Sequence, residues 1–259
     1  MVTIRIRGLA FRYDTRPVFS DTTIEVDKGE VLSIVGRNGA GKSTLLKCIN
    51  HILTPAAGAV LVDDQDVAAM NLKERARRFG YLAQRNQHLF PTTVFDVVLT
   101  GRYAHSPVRF TRRDEEITAE VLARMELGDF ARRPFHHLSG GEQQQVLIAR
   151  ALAQGADILL FDEPTNNLDL RHQLQIMRLI RDIARNRRIT SLLAIHDLNL
   201  AAAFSDKVIM LHKGGVFAAG KPSEVFTHDN IREVFGVDVK IYDHGGTPHV
   251  VVLDGSLPG

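Results

Sequence analysis

The feature that most constrains this chain is a glycine-rich segment, GRNGAGKST, at residues 36–44, which we call the P-loop. It follows the short apolar run VLSIV, which is typical of a strand buried on both faces of a parallel sheet. It leads into KSTLLKCINHIL, which has the periodicity of a helix. A strand, the pattern G-x-x-x-x-G-K-[ST] and a helix together form a phosphate-binding loop. The segment therefore predicts a parallel α/β core with a phosphate site at a helix N-terminus.

The residue types within the P-loop suit the binding of a nucleotide. Glycines allow backbone N–H groups to converge on phosphate oxygens, and the start of a helix adds a favourable potential for anions. We expect Lys42 to reach the terminal phosphates and Ser43 to place its hydroxyl on Mg²⁺. The predicted nucleotide-binding residues of the loop are Gly36, Asn38, Gly39, Ala40, Gly41, Lys42, Ser43 and Thr44.

Two acidic residues and a histidine stand at the ends of other apolar strands. Asp162 follows the run ILLF and is placed to hold the Mg²⁺ shell, as the acidic residue after a buried strand does in P-loop NTPases. On an extended chain Glu163 points away from Asp162, and there it could polarise an attacking water. His196 ends the run SLLAIH, where its imidazole could orient that water or donate to a phosphate.

Gln84 and Tyr13 are two further candidates. Gln84 follows the short strand GYLA, and its amide could reach Mg²⁺ or the water and report phosphate occupancy to the segment that follows. Tyr13 lies in a strand-edge segment ahead of the P-loop, where its ring could stack on a nucleotide base. Phe11 is the competing aromatic residue, but it should point less toward the nucleotide.

A second glycine-rich segment, LSGGEQQQ, occupies residues 138–145, and we call its first five residues the signature loop. Glycine, serine and a following amphipathic run indicate a loop that meets a helix N-terminus, which is a natural anion site. The signature loop contains no lysine. Because Lys42 already serves one phosphate group, the second anion site needs a separate explanation.

The charge balance and the apolar runs limit the class of partner. The chain of 259 residues has 32 basic and 30 acidic residues, and the resulting net charge of +2 argues against a nucleic-acid partner bound by bulk charge. No apolar run approaches the roughly 20 residues that span a bilayer. We therefore expect that, if the chain works at a membrane, other subunits hold it there.

The order of these motifs resembles that of the ATP-binding cassette (ABC) ATPases. The resemblance extends from about residue 3 to residue 235 and rests on Tyr13, GRNGAGKST, Gln84, LSGGE, ILLFDEP, NNLD (166–169) and His196. Few other P-loop proteins have LSGGE. The resemblance implies a P-loop NTPase of the ABC ATPase fold, with an N-terminal antiparallel β portion, a parallel-sheet core and an inserted α-helical subdomain.

Further implications concern single residues. Tyr13 would stack on adenine, Gln84 would be the Q-loop glutamine, Glu163 the catalytic base and His196 the switch histidine. In a homodimer with ATP between the copies, the signature loop would bind the partner's γ-phosphate through Ser139, Gly140, Gly141 and Glu142. The segment 166–169, which we call the D-loop, would meet the partner subunit through Asn167 and Asp169. Two departures, Glu142 for the commoner Gln and Asn166-Asn167 for Ser-Ala, leave these roles intact.

The domain organisation follows from the same pattern. We predict a single ABC ATPase domain over residues 1–259. Its RecA-like core with the antiparallel β portion comprises residues 1–85 and 151–235. Residues 86–150, which have helical periodicity and little strand signal, form the helical subdomain, and residues 236–259 form a C-terminal tail.

A narrower resemblance concerns TGRYAH (100–105) and HDLN (196–199). Both are similar to segments in the ATPases of bacterial importers for iron-siderophores, haem and cobalamin, although Ala104 stands where these often have proline. This resemblance implies ATP and Mg²⁺ as cofactors and two transmembrane permease subunits as partners. It also implies a substrate-binding protein in the full system and a peripheral position on the cytoplasmic face of the inner membrane.

Alternative functions remain open at this point. Molybdate importers share the narrower segments, and exporters share the catalytic motifs. A soluble ABC ATPase of DNA repair or translation would usually carry long coiled coils or two cassettes, and this chain has one cassette and no sustained heptads. A nucleotide-binding module without turnover would not need both Glu163 and His196.

The histidines raise the question of direct metal or haem binding. His136 and His137 precede the signature loop, and His244 and His249 flank a glycine turn. No Cys/His spacing fits a closed metal site, so we expect these residues to have surface or packing roles.

Overall fold

The computed structural model describes residues 4–83, 92–106 and 108–253. Its strands are β1 Ile4–Tyr13, β2 Arg16–Val26, β3 Val31–Val35, β4 Ala57–Val62, β5 Gln65–Asp66, β6 Phe79–Leu82, β7 Ile158–Asp162, β8 Thr190–Ala194, β9 Lys207–His212, β10 Gly215–Gly220, β11 Val239–His244 and β12 Thr247–Val252. Its α-helices are α1 Lys42–Ile49, α2 Leu72–Arg78, α3 Val94–Leu99, α4 Arg112–Arg124, α5 Gly140–Gln154, α6 Leu170–Arg187, α7 Leu198–Phe204, α8 Pro222–Val225 and α9 His228–Phe235. The chain divides into two compact units, the first Met1–Ala69 with Ile180–Gly259 and the second Met70–Leu179.

The first unit contains an antiparallel sheet and a group of parallel strands. β1 pairs with β2 on one side and with β4 on the other, and β4 pairs in turn with the two-residue β5. β3 lies between β8 and β9 and is parallel to both, while β9 and β10 form a hairpin. Every residue of β3 and β8 is buried, as expected of parallel strands covered on both faces. The predicted combination of an antiparallel β portion with a parallel core is confirmed.

The C-terminal segment of this unit forms a further hairpin. β11 and β12 pair along their whole length around Gly245-Gly246. Asn199, in α7, holds this hairpin in place: its Nδ2 donates to the carbonyl of Val250 at 3.0 Å, and its Oδ1 accepts from the Val250 N–H at 2.7 Å. The side chain thus acts as an additional strand partner for β12.

The second unit combines two parallel strands with the predicted helical segment. β6 pairs with β7 in parallel register, and α3, α4 and α5 pack on one another. A buried ion pair joins the segments of this unit, with Nε of Arg102 2.9 Å from Oδ1 of Asp114. Besides α3, α4 and α5, the unit contains α2, β6, β7 and the start of α6. The boundaries of the sequence-derived subdomains stay a prediction.

Within residues 4–83, 92–106 and 108–253, no helix is both long enough and apolar enough to cross a bilayer.

Candidate functional site

The P-loop connects β3 to α1 and has a backbone that only glycine fits at two positions. Gly36 has φ +150° and Gly41 has φ +97°. A Cβ at Gly36 would lie 2.6 Å from the carbonyl oxygen of Leu211, and one at Gly41 would lie 2.8 Å from Cγ1 of Val18. The turn is therefore a tight cradle, closed from behind by β2 and β9, whose backbone N–H groups can approach a phosphate.

Lys42 lies inside this cradle. Its side chain is buried, with a relative exposure of 5% for the residue. Its Nζ donates to the carbonyls of Gly36 at 2.9 Å and Arg37 at 3.2 Å. The loop therefore holds an ammonium group at the N-terminus of α1, where a bound phosphate would gain from both charges.

The other predicted residues of the P-loop lie around this ammonium group. Asn38 and Gly39 are exposed and Ala40 is half-buried. Ser43 and Thr44 stand in the first turn of α1 and are half-buried. Their predicted contacts to a nucleotide and to Mg²⁺ stay predictions.

His196 is placed by the strand next to the P-loop. β3 and β8 run parallel with Ile34 opposite Ala194, and the N–H of Ile195 donates to the carbonyl of Ile34 at 3.1 Å. The carboxyl ends of neighbouring parallel strands lie at the same edge of a sheet. The P-loop, after β3, and the exposed His196, after β8, therefore lie at the same edge of these strands.

Tyr13 stands at the end of β1, and its residue is 48% exposed. Its ring meets the ring of Phe11 edge to face, with centroids 4.8 Å apart, and Phe11 is buried against Phe19. Phe19 is paired with Phe11 on β2, the strand that backs Gly41. The competing aromatic, Phe11, is thus a core residue, while Tyr13 presents a ring on the hairpin behind the P-loop.

Asp162 ends β7 in the second unit and contacts Tyr81 of β6, a residue that the sequence did not single out. The hydroxyl of Tyr81 donates to Oδ2 of Asp162 at 3.1 Å. Burial, together with the charge of the Asp162 carboxylate, raises the pKa of Tyr81 well above its usual range, so the hydroxyl keeps its proton. Tyr81 reaches Asp162 because β6 and β7 pair in parallel register, with Leu82 opposite Phe161, and the sequence of either strand alone does not reveal this pairing.

Glu163 departs from the predicted geometry. The strand ends at Asp162, and Glu163 has φ +54°, which is a left-handed conformation rather than an extended one. The expectation that the two carboxylates alternate along an extended chain is therefore wrong. Left-handed backbone costs a non-glycine residue about 1–2 kcal/mol and concentrates at functional sites. Nδ2 of Asn166 donates to Oε2 of Glu163 at 3.0 Å, which orients the carboxylate.

The signature loop caps α5 through a complete capping box. The Glu142 carboxylate accepts from the N–H of Ser139 at 2.7 Å and from its hydroxyl at 2.8 Å, while the Glu142 N–H donates back to Oγ of Ser139. These hydrogen bonds lower the pKa of Glu142, so the side chain stays ionised. Gly140 and Gly141 form the first turn of a 15-residue helix. The predicted loop-to-helix transition is confirmed.

The D-loop lies between β7 and α6. Asn167 has φ +60°, and the exposed Asp169 accepts from the backbone N–H of His172 at 2.9 Å and from its Nδ1 at 2.8 Å. These hydrogen bonds, the backbone one first, lower the pKa of Asp169. Asp169 is thus exposed, and its carboxylate also holds the first turn of α6.

The predicted Mg²⁺ ligands offer hard oxygen atoms. Ser43 and Asp162 supply a hydroxyl and a carboxylate, and the third predicted ligand, Gln84, lies outside the described residues. Within those residues, no group of three or more His, Cys, Asp and Glu side chains could hold a metal ion. Mg²⁺ commonly keeps waters and nucleotide phosphate oxygens with one or two protein ligands, so this donor set fits an ion that arrives with a nucleotide.

The four histidines considered for metal or haem binding are exposed. The rings of His136 and His137 lie edge to face with centroids 4.3 Å apart in the turn before the signature loop. His244 and His249 lie on the β11–β12 hairpin on either side of its glycine turn.

Comparison with known proteins gives the same family by sequence. The family model described as "ABC transporter" matches residues 19–166. An uncharacterized ABC transporter ATP-binding protein of Methanocaldococcus jannaschii is 47% identical, with 98% of this chain and 99% of the relative covered. The hemin import ATP-binding protein HmuV of Streptomyces coelicolor is 42% identical, with 97% of this chain and 89% of the relative covered.

Solved structures agree in fold. A chain of a metal-chelate type ABC transporter in an inward-facing conformation superimposes with a TM-score of 0.86 at 28% identity, covering 99% of both chains. An ATP-binding cassette solved as a dimer in a post-hydrolysis state with ADP and Pi superimposes with a TM-score of 0.72 at 28% identity. The match covers 85% of this chain and 98% of that one.

Proposed function

The chain belongs to the ABC transporter ATPases, and from this premise we propose that it is the ATP-hydrolysing subunit of an importer for a metal chelate. The single observation that carries the ATP-hydrolysing role is the signature loop. It presents a capped helix N-terminus with no lysine of its own, in a chain whose P-loop already holds Lys42. An anion site without its own cation suits a γ-phosphate bound to a second copy of the chain.

The class of cargo is inferred from the relatives. One is named for hemin import, and the structural neighbour belongs to a transporter of the metal-chelate type. An iron-siderophore, haem or cobalamin is therefore the proposed cargo, since each is a chelated metal. A molybdate importer, an exporter and a soluble ABC ATPase are the alternatives.

ATP binding starts at the P-loop in this proposal. The cradle formed by Gly36 and Gly41 brings backbone N–H groups to the phosphates, and Lys42 exchanges its two carbonyl partners for phosphate oxygens. Tyr13 offers its exposed ring to the adenine. Bound Mg²⁺, held by Ser43, Asp162 and Gln84, would supply neutralisation of the charge on the phosphates.

Hydrolysis then depends on a well-placed water. Glu163 would accept a proton from that water, and Asn166 holds its carboxylate at 3.0 Å. His196 would donate to the γ-phosphate or orient the same water. Phosphoryl transfer needs little covalent chemistry from a protein. These groups would therefore promote hydrolysis by positioning the water and by stabilising the charge that develops on the phosphate.

A nucleotide-bound homodimer would couple ATP binding and hydrolysis to movement of the permease subunits. The signature loop and the D-loop of one copy would complete the site of the other, through Ser139, Gly140, Gly141 and Glu142 and through Asn167 and Asp169. ATP would favour the closed dimer, and hydrolysis would reopen it. Two permease subunits would convert this motion into uptake, with the ATPase on the cytoplasmic face of the membrane and a substrate-binding protein outside.

Ser139→Arg tests the two-chain site. An arginine in the signature loop blocks the partner's γ-phosphate without touching the chain's own P-loop. We expect a fluorescent ATP analogue to bind the variant with wild-type affinity while hydrolysis falls to background. Normal turnover by Ser139→Arg would refute the two-chain site.

Uptake into proteoliposomes tests the cargo. The ATPase would be reconstituted with the permease that copurifies with it, and haem, a ferric siderophore and cobalamin would be offered in turn. We expect ATP-dependent accumulation of one of them with the wild-type protein and none with Lys42→Ala. Accumulation of none of the three chelates, or of molybdate offered in a parallel experiment, would contradict the proposed cargo.

A further inference from the structure

His172, a residue with no role in the sequence reasoning, lies directly against the second glycine of the signature loop. A Cβ at Gly141 would come within 2.2 Å of Cδ2 of His172, 2.7 Å of Cγ and 3.0 Å of Nε2. Gly141 is buried and lies in the first turn of α5. No positive φ demands glycine there, because Gly141 is not among the residues with a left-handed backbone. The imidazole ring itself therefore restricts this position to glycine.

The orientation of that ring is fixed by the D-loop. Nδ1 of His172 lies 2.8 Å from Oδ1 of Asp169, and the same oxygen accepts from the His172 backbone N–H at 2.9 Å. A carboxylate oxygen accepts, so Nδ1 donates, and the far side of the ring is presented to Gly141. The D-loop carboxylate and the signature glycine are thus in contact with opposite sides of one side chain.

The signature loop is held rigidly on its other side as well. The capping box between Ser139 and Glu142 fixes the first turn of α5, and Nε2 of Gln143 donates to the Leu138 carbonyl at 2.9 Å. A movement of the His172 ring therefore cannot be absorbed by a loose loop at Gly141. A ring that moves toward Gly141 would shift the first turn of the helix, whose backbone N–H groups form the proposed anion site.

We propose that His172 is a positioning residue that ties the D-loop carboxylate of Asp169 to the backbone of Gly141, so that the signature loop is placed for hydrolysis only when the D-loop is in place. The inference rests on the proposed two-chain ATP site and adds to it a link between two loops that face the partner. His172 acts through Gly141 and does not itself touch the nucleotide.

Two substitutions separate the two contacts of His172. His172→Phe keeps an aromatic ring against Gly141 but cannot donate to Asp169. His172→Asn keeps a donor near the position of Nδ1 but removes most of the ring. We expect each variant to lower kcat by roughly tenfold while KM for ATP changes less than about threefold, because the P-loop is untouched. His249→Ala, an exposed histidine in the other unit, is the matched control and should keep the wild-type kcat.

A double-mutant cycle tests whether the two residues act as one unit. If His172 transmits the position of Asp169, adding His172→Phe to Asp169→Ala should reduce kcat no further than Asp169→Ala does alone. A kcat reduced by the product of the two single effects would overturn the proposal. A wild-type kcat for both His172→Phe and His172→Asn would overturn it too.

Thermal denaturation distinguishes a loss of activity from a loss of folding, and Ser139→Arg distinguishes failure of the two-chain site from failure of the role of His172. We expect His172→Asn to unfold cooperatively, with kcat reduced at temperatures where the variant is fully folded; a kcat that falls only where folded protein is lost would overturn the proposal. If Ser139→Arg hydrolyses ATP normally, the proposed two-chain site fails. If Ser139→Arg is inactive and both His172 variants are fully active, only the role of His172 fails.

Discussion

Asp162 and Glu163 are neighbours in sequence, but at the residue scale their surroundings differ. Asp162 is buried at the end of β7 and accepts a hydrogen bond from Tyr81. Glu163 is half-buried with a left-handed backbone, and Asn166 donates to its carboxylate. One carboxylate is thus held by a strand neighbour and the other by a turn. This difference suits a fixed ligand and a general base that must meet a water.

Tyr81→Phe tests whether the hydrogen bond from Tyr81 holds Asp162 in place as a Mg²⁺ ligand. The substitution removes one hydroxyl and leaves the packing of the ring. Loss of a hydrogen bond to a charged group costs about 1.5 kcal/mol, so we expect a roughly tenfold fall in hydrolysis rate at limiting Mg²⁺. Saturating Mg²⁺ should restore part of that rate. Tyr103→Phe, at an exposed tyrosine of the same unit, is the control. A wild-type rate for Tyr81→Phe at every Mg²⁺ concentration would show that the hydroxyl does not support the site.

At the scale of elements, the segment TGRYAH has a structural role in the second unit. Nη1 of Arg102 donates to the carbonyl of Ala153 at 2.8 Å, and Nε2 of His105 lies 2.8 Å from the carbonyl oxygen of Gln154. Both contacts satisfy carbonyls in the last turn of α5, which the helix itself leaves unpaired. The segment therefore fastens the C-terminal end of the helix that begins at the signature loop.

Asp114→Ala tests this fastening. Asp114 is 2% exposed and pairs with Arg102, so its removal leaves a buried cation without its partner. Breaking a buried pair by removing one member costs roughly 3 kcal/mol, and we expect the free energy of unfolding in urea to fall by that amount. Asp129→Ala, at an exposed aspartate of the same unit, should change it by less than about 0.5 kcal/mol. Replacing Arg102 by Met together with Asp114 by Leu removes the unpaired cation and should recover part of the loss, since the hydrogen bonds from Thr111 and Ser106 stay broken. A double variant no more stable than Asp114→Ala would contradict this explanation.

The same carboxylate predicts a pH dependence. Hydrogen bonds from Thr111, and then from Ser106 and Arg102, hold the pKa of Asp114 well below its usual range. A carboxyl with a lowered pKa in the folded state stabilises the fold above its unfolded pKa of about 3.9 and loses this contribution as the pH falls further. The difference in unfolding free energy between wild type and Asp114→Asn should therefore be constant from pH 7 to about pH 5 and shrink below pH 4. A difference that does not change down to pH 3 would refute this assignment.

The elements show how far the sequence could predict the structure. The P-loop, α1 and the capped start of α5 follow from local chemistry, because glycine, serine and apolar periodicity act over a few residues. The contacts of Tyr81 with Asp162 and of His172 with Gly141 join positions that lie far apart in the chain. Neither pair carries a local sequence signal. The backbone of Glu163 could not be predicted either, since only the surrounding fold imposes a left-handed conformation on a glutamate.

At the scale of the whole molecule, the proposed catalytic groups are divided between the two compact units. The P-loop, Tyr13 and His196 belong to the first, while Asp162, Glu163 and the signature loop belong to the second. Each unit taken by itself thus carries only part of the proposed catalytic set. In the proposed dimer the signature loop of one copy serves the P-loop of the other. ATP would then be the ligand that favours the association of the two chains.

The mass of the Glu163→Gln variant in solution, with and without ATP, tests the two-chain site most directly. The substitution removes the proposed general base while keeping the P-loop and the signature loop, so ATP should remain bound and trap the closed state. Sedimentation velocity should give a monomer without nucleotide and a species of twice the monomer mass with saturating ATP and Mg²⁺. A variant that binds ATP but stays monomeric at every protein concentration, or that dimerises equally without nucleotide, would contradict an ATP site formed by two chains.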